Sequence, residues 1–150
     1  ADVFLGISEI PRCMTSAALT NVAAWSVVHG FRDELFIDYV DFDYCAKLYL
    51  AGYSIIKDEN VIIDHRLGDT CLRRFLFWKI KVMSHSDKRM YYIARNIVIY
   101  IRRYRKLIDT RIEYIRLIKI FLFTILYEPK KLIKLKKIKR GIKDGLKYQL

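Results

Sequence analysis

Cysteine is scarce and badly patterned for a disulfide framework. Cys13, Cys45 and Cys71 are the only three in 150 residues, and none sits in a Cys-x-x-Cys pair. An odd number argues against a closed set of bridges, so reduced thiols in a cytoplasmic protein are the expectation. Also missing is any run of about 18 uncharged apolar residues, the minimum for a membrane-spanning helix. The best candidate, 112–127, is interrupted by Glu113, Arg116 and Lys119. No initiating methionine opens the chain, and the stretch that begins at Ala1 has the pattern of neither a signal nor a transit peptide. The sequence reads as the remainder of a longer chain. It contains no internal repeat and no low-complexity linker. Negative charge is the last scarcity, with 16 Asp+Glu against 28 Lys+Arg and a net charge of +12.

That charge is unevenly spread. Residues 1–66 hold 5 basic and 10 acidic side chains, whereas residues 67–150 hold 23 and 6. A chain of this length can bury roughly 70% of its unfolded surface and so needs no metal or disulfide to support a core. Two regions are expected, 1–68 of mixed α and β character and 69–150 mostly helical.

In the first region, 21–29 has helical character, with Asn21 placed to cap it and Gly30 to end it. A turn through 31–34 leads to an acidic segment, 36–45. From Asp41 the apolar positions Tyr44, Leu48 and Ala51 keep helical spacing, and Gly52 closes that helix. The β-branched runs 53–56 and 61–63, separated by the polar residues 57–60, predict two strands. Beyond Gly68 the residues that punctuate strands and turns nearly vanish. Helices are predicted over 72–83, 88–104, 110–127 and 130–146, with breaks at 84–87, at 107–109 and at Pro129.

Asp38, Asp41 and Asp43 lie within six residues beside Phe36, Ile37 and Phe42. Carboxylates among apolar groups need a cation, a metal or a set of donors. The plain alternative is a helix N-terminus, where the macrodipole and free backbone N–H groups stabilise acids. Asp-x-Asp alone does not decide between these.

The surrounding order carries more information. Gly30-Phe31, an acidic turn, and then Phe36-Ile37-Asp38-Tyr39-Val40-Asp41-Phe42-Asp43-Tyr44-Cys45 resemble a signature of bacterial rhamnosyltransferases, family 2 glycosyltransferases. The resemblance continues through Gly52-Tyr53, through His65-Arg66-Leu67-Gly68-Asp69, through Arg89-Met90-Tyr91-Tyr92-Ile93-Ala94-Arg95-Asn96 and into Gly141–Leu146, covering about residues 14–147. It implies an α/β (α+β) fold, the C-terminal, acceptor-side part of a GT-A-type catalytic domain. A sugar, rhamnose in the simplest case, would pass with inversion from a nucleotide-sugar such as dTDP-rhamnose to a cell-surface polysaccharide or lipid-linked acceptor.

Residue by residue, the resemblance makes Asp41 the base that deprotonates the acceptor hydroxyl, at the second acid of an (Glu/Asp)-Asp-x-Asp pattern whose first acid is replaced by Val40. Asp38, Asp43, Ser16 and Glu34 become acceptor-binding or structural positions, and Asp43 is a neighbour able to tune Asp41. Lys47 stands where the broader pattern has arginine, keeping the charge and losing the planar fork. His65 is the candidate metal ligand, for Mg or Mn together with an aspartate from a missing N-terminal half. Its alternative is an ordinary histidine at a strand end. Arg89, Tyr92, Arg95 and Asn96 are candidates for diphosphate or acceptor contact, while a tyrosine pair on a helix is equally ordinary core. Two departures stand out. The family's Thr-Ser-Gly turn is Thr15-Ser16-Ala17 here, so a glycine position has gained a methyl group. The nucleotide-binding half with its own Asp-x-Asp is not in the chain, and the isolated 150 residues are expected to be inactive.

The basic tail divides into unlike helices. Residues 112–126 are apolar over most of the circumference, with a narrow stripe of Glu113, Arg116 and Lys119, and need a cover of protein or lipid. The last helix places Leu132, Leu135, Ile138, Ile142 and Leu146 on one face amid many lysines, the composition of an interfacial helix on anionic lipid. A peripheral location on the cytoplasmic face of the membrane follows as an expectation. The alternatives are a solvated basic face packed on its own domain, a non-catalytic remnant, or a nucleic-acid-binding helical protein. The wide apolar face speaks against nucleic acid.

Overall fold

The structure, a computed structural model, describes residues 6–64, 70–75, 78–83 and 85–150. The chain forms two units, 1–65 and 66–150.

In the first unit β1 (Ile7–Glu9) pairs antiparallel with β2 (Ile56–Asp58), Ser8 standing opposite Lys57. α1 (Val22–Val27) starts where Asn21 Oδ1 accepts hydrogen bonds from the N–H groups of Ala23 (2.8 Å) and Ala24 (3.3 Å). A single 3₁₀ turn, Asp33–Leu35, precedes α2 (Val40–Leu50), which Ala51 and Gly52 terminate. α1 and α2 meet around Trp25, Phe31 and Tyr44, whose ring centroids lie 4.7–5.4 Å apart. The strand expectations need correcting. Only Ile56 of 53–56 is in a strand, Lys57 and Asp58 belong to the ladder rather than to a turn, and 61–63 forms no strand, with Ile62 91% exposed. β-branched side chains favour extended backbone but do not choose its partner. Here the partner is the distant β1.

The second unit opens with a hairpin, β3 (Thr70–Phe75) and β4 (Trp78–Met83), in register from Thr70↔Met83 to Phe75↔Trp78. The helix expected over 72–83 is therefore wrong. Trp78-Lys79-Ile80-Lys81-Val82 alternates apolar and charged residues with the period of two that a strand requires, a local signal stronger than the scarcity of turn residues. Three helices follow, α3 (Asp87–Tyr104), α4 (Thr110–Tyr127) and α5 (Lys131–Lys147), within a residue of their expected bounds. Ser86 and Asp109 cap α3 and α4 with side-chain oxygens.

The core of this unit is the α3–α5 seam. Ile138 of α5 is fully buried against Met90 and Ala94 of α3, and Leu135, Ile142 and, from α4, Leu117, Ile120 and Phe121 close around it. Burial of a side chain such as Ile138 contributes about 1.5–3 kcal/mol. Protein thus covers the centre of the last helix's apolar face, leaving Leu132 and Leu146 exposed near its ends. Gly141 and Gly145 permit the approach, since a Cβ on Gly145 would stand 2.7 Å from the Arg95 carbonyl oxygen. Arg102 Nη1 donates to the carbonyls of Gly145 (2.7 Å) and Tyr148 (2.8 Å), satisfying acceptors that the end of α5 would leave open. At the other end of α5, the buried Lys134 ammonium bonds Glu128 Oε2 and the His85 carbonyl, each at 2.6 Å. A charge pair out of water is tolerated only with such extra bonds.

Candidate functional site

The backbone that leads into α2 is unusual. Phe36, Asp38 and Tyr39 have φ of 62°, 59° and 65°, and Tyr39, the residue at the N-terminus of the helix, has no side-chain capping bond. Left-handed backbone costs an L-residue about 1–2 kcal/mol. Such residues persist only where the surroundings over-determine them, and they concentrate at sites of function. Their effect here is local: the chain reverses within a few residues and delivers Asp41 and Asp43 to the first turn of α2, where helix N–H groups favour negative charge.

The two carboxylates then have different fates. Asp43 is 2% exposed and receives the Arg32 guanidinium, Nε lying 2.9 Å from Oδ2 and 3.2 Å from Oδ1. Asp41 is half-buried and accepts a 2.6 Å hydrogen bond from the Thr15 hydroxyl at Oδ1. Thr15 opens a turn closed by Ala18 N–H on the Thr15 carbonyl (3.1 Å), with Ala17 at φ 62°. Positive φ at the third residue is the requirement of a type II turn, met most easily by glycine. The Ala17 methyl group thus lies where it strains the backbone, two residues from the Thr15 that bonds Asp41.

Around this pair, Ser16 is exposed on the same turn, Glu34 is exposed in the 3₁₀ turn, and Asp38 is half-buried among the left-handed residues. The Lys47 ammonium, at the position where arginine was expected, donates to the Gly30 carbonyl. One turn of helix beyond Asp41, the buried Cys45 has its Sγ 4.0 Å from that of Cys13, both as free thiols. Burial pushes the Cys45 thiol up to about 11. Tyr44 lies beside it with its hydroxyl buried and unpartnered among the described residues.

Sequence reading missed two residues of this site, Thr15 and Arg32. Thr15 opens the Thr15-Ser16-Ala17 turn and Arg32 follows Gly30-Phe31, yet only folding reveals which aspartate each one meets.

Arg89, Tyr92, Arg95 and Asn96 lie on α3 in the second unit. The Arg95 guanidinium stands 4.7 Å over the Tyr92 ring and 5.8 Å from that of Tyr91, and its Nε donates to Oδ1 of the fully buried Asn96 at 3.0 Å. Tyr91 donates to Asp144 Oδ2 of α5 at 2.9 Å, and burial together with that bond raises its pKa. The Arg89 N–H bonds the Ser86 cap. His65 falls outside the described residues. Among the described residues no group of three or more His, Cys, Asp or Glu side chains is placed to hold a metal ion.

Comparison with known proteins gives one distant relation. The chain is similar to a dTDP-rhamnosyl transferase, RfbF, of Shigella flexneri, 27% identical over 90 residues, which are 60% of this chain and 29% of that protein. The match thus spans less than a third of the relative's length. No family model matches the chain, and no solved structure does. The similarity suggests a glycosyltransferase relationship, and the α+β composition of the structure is compatible with it.

Proposed function

We propose that this chain is the acceptor-side portion of an inverting glycosyltransferase, with Asp41 as its general base. The observation that carries the reading is the setting of Asp41: half-buried at the head of α2, delivered there by left-handed backbone, and held at one oxygen by Thr15. A base must present a free lone pair to the hydroxyl it deprotonates. The Thr15 bond occupies Oδ1 and orients the carboxylate, so Oδ2 is the atom that meets the acceptor. As that hydroxyl attacks the anomeric carbon of the nucleotide-sugar, its proton passes to Oδ2 and the nucleoside diphosphate departs from the opposite face.

Asp43 has a different part. Its pairing with Arg32 fixes the first turn of α2, and with it the direction of Asp41, making it a positioning residue. Ser16 and Glu34, both exposed, are read as acceptor contacts. The donor, by the name of the relative, is dTDP-rhamnose or a close counterpart, and the acceptor is a glycan or lipid-linked glycan. Asp41 and Asp43 are bonded to Thr15 and Arg32, and neither is assigned to a metal. An Mg or Mn ion, if His65 takes part in holding one, draws its other ligands from elsewhere, and no step is assigned to it. Nor is any step assigned to Arg89, Tyr92, Arg95 and Asn96, whose described partners lie within the second unit.

The test is made in an enzyme completed with a nucleotide-binding portion. There Asp41→Asn should lower transfer by about 10²–10⁴-fold, the usual contribution of a positioned base. Folding by circular dichroism and donor affinity by calorimetry should stay nearly unchanged. Transfer at the unsubstituted rate would move the base to another residue.

A further inference from the structure

α4 is apolar on two sides: Leu117, Ile120 and Phe121 pack on the α3–α5 core, and a second set of apolar side chains points outward. Between those inward apolar residues lie the buried Glu113 and Thr124, at 1% and 0% exposure, with Arg116 bonded to Glu113 at 3.3 Å and the Thr124 hydroxyl donating to the Ile120 carbonyl at 2.8 Å. The outward side carries Ile112, Ile115, Ile118, Leu122, Ile125 and Leu126, with Ile118 57% and Leu122 50% exposed. A surface helix in water places its apolar stripe against the core and its charges outward. A second, outward apolar face along an 18-residue helix, about 27 Å long at 1.5 Å per residue, marks a surface that something apolar covers.

The charge around that face selects the cover. Exposed charged residues from 105 to 131 are Arg105, Lys106, Asp109, Arg111, Lys119, Lys130 and Lys131, cations at both ends of the helix and one at its middle, with a single carboxylate among them. Two copies of this chain joined through the face would bring those cations together, which opposes a homodimer. An anionic surface with an apolar interior matches both features. No described helix is long and apolar enough to cross a membrane, so the fitting geometry is a helix lying flat at the headgroup boundary.

We infer that the outward face of α4 docks this unit on an anionic lipid bilayer, with Ile115, Ile118, Leu122 and Leu126 entering the acyl boundary and Arg111, Lys119, Lys130 and Lys131 meeting the headgroups. α5, whose apolar centre is buried on α3, contributes charge and no insertion. The inference is independent of the transferase reading.

The experiment is co-sedimentation of the full 150-residue chain with vesicles of phosphatidylcholine containing about 30 mol % phosphatidylglycerol, and with phosphatidylcholine alone, at about 0.15 M salt. Binding should be at least about ten-fold tighter to the anionic vesicles and should weaken as salt rises. Ile118→Asp with Leu122→Asp, both exposed and therefore tolerated by the fold as circular dichroism can verify, should weaken it about ten-fold or more. Leu132→Asp, on α5, should change it less than two-fold. Three results would overturn the assignment: no binding to anionic vesicles, equal binding by the α4 variant, or a dimer in sedimentation equilibrium that the α4 variant disperses. Retention on RNA without vesicle binding would replace the bilayer with a nucleic acid.

Discussion

At the scale of single residues, the first region is organised by backbone that side chains ordinarily avoid. Ala17, Phe36, Asp38 and Tyr39 all have positive φ, and between them they set the loop and the helix start that meet at the Thr15–Asp41 bond. Of these, Ala17 is the simplest to test. The turn needs positive φ at that position, and glycine adopts it without the clash of a Cβ. Ala17→Gly should therefore stabilise the protein, by about 0.5–1 kcal/mol in urea unfolding, although glycine elsewhere lowers stability by enlarging the unfolded ensemble. A loss of stability would show that the strain at position 17 is illusory. The departure was visible in the sequence as alanine in place of an expected glycine, but its left-handed φ was not, because composition does not report a dihedral angle.

At the scale of elements, the long periodic helices were legible and the short extended pieces were not. α3, α4 and α5 carry enough turns for periodicity and caps to agree, and their bounds fall within a residue of those expected. β2 and the β3–β4 hairpin draw their definition from partners, and a strand without its partner has no ladder to stabilise it. What an exposed helix would gain from a glycine replacement also reverses at the α3–α5 seam. Alanine is intrinsically better than glycine in a helix by about 1 kcal/mol. A Cβ at position 145 would nonetheless stand 2.7 Å from the Arg95 carbonyl oxygen and 2.9 Å from Val98 Cβ. Gly145→Ala is expected to destabilise the protein by about 1–3 kcal/mol, the usual range for overpacking, with a lower Tm. An unchanged or higher Tm would mean that α5 is not seated as described.

At the scale of the whole molecule, two units of opposite charge share one chain, one centred on an aspartate pair and the other on an apolar seam between helices rich in lysine and arginine. The relative's length bears on what the chain does by itself, since the match corresponds to 29% of that transferase. A base can act only on a bound donor and acceptor in line. The isolated chain is therefore expected to release no nucleoside diphosphate from dTDP-rhamnose, as read by chromatography, with or without acceptor. Measurable transfer would place a complete donor site within these residues.

The sequence alone determined the charge division, the three long helices, the acidic segment and its resemblance to rhamnosyltransferases, because these rest on composition and on order within short windows. Tertiary structure decided which aspartate pairs with Arg32 and which accepts from Thr15. Arg32 and Thr15 lie eleven and twenty-six residues from the carboxylates they bond, and no local pattern encodes such a meeting. It also decided which basic-tail helix keeps an open apolar face. By composition, α5 has the stronger claim to lipid, yet Gly141 and Gly145 let it close onto α3 and bury its centre, and the exposed face is left to α4. Amphipathicity states that a face needs a cover, and only packing states whether the cover is already there.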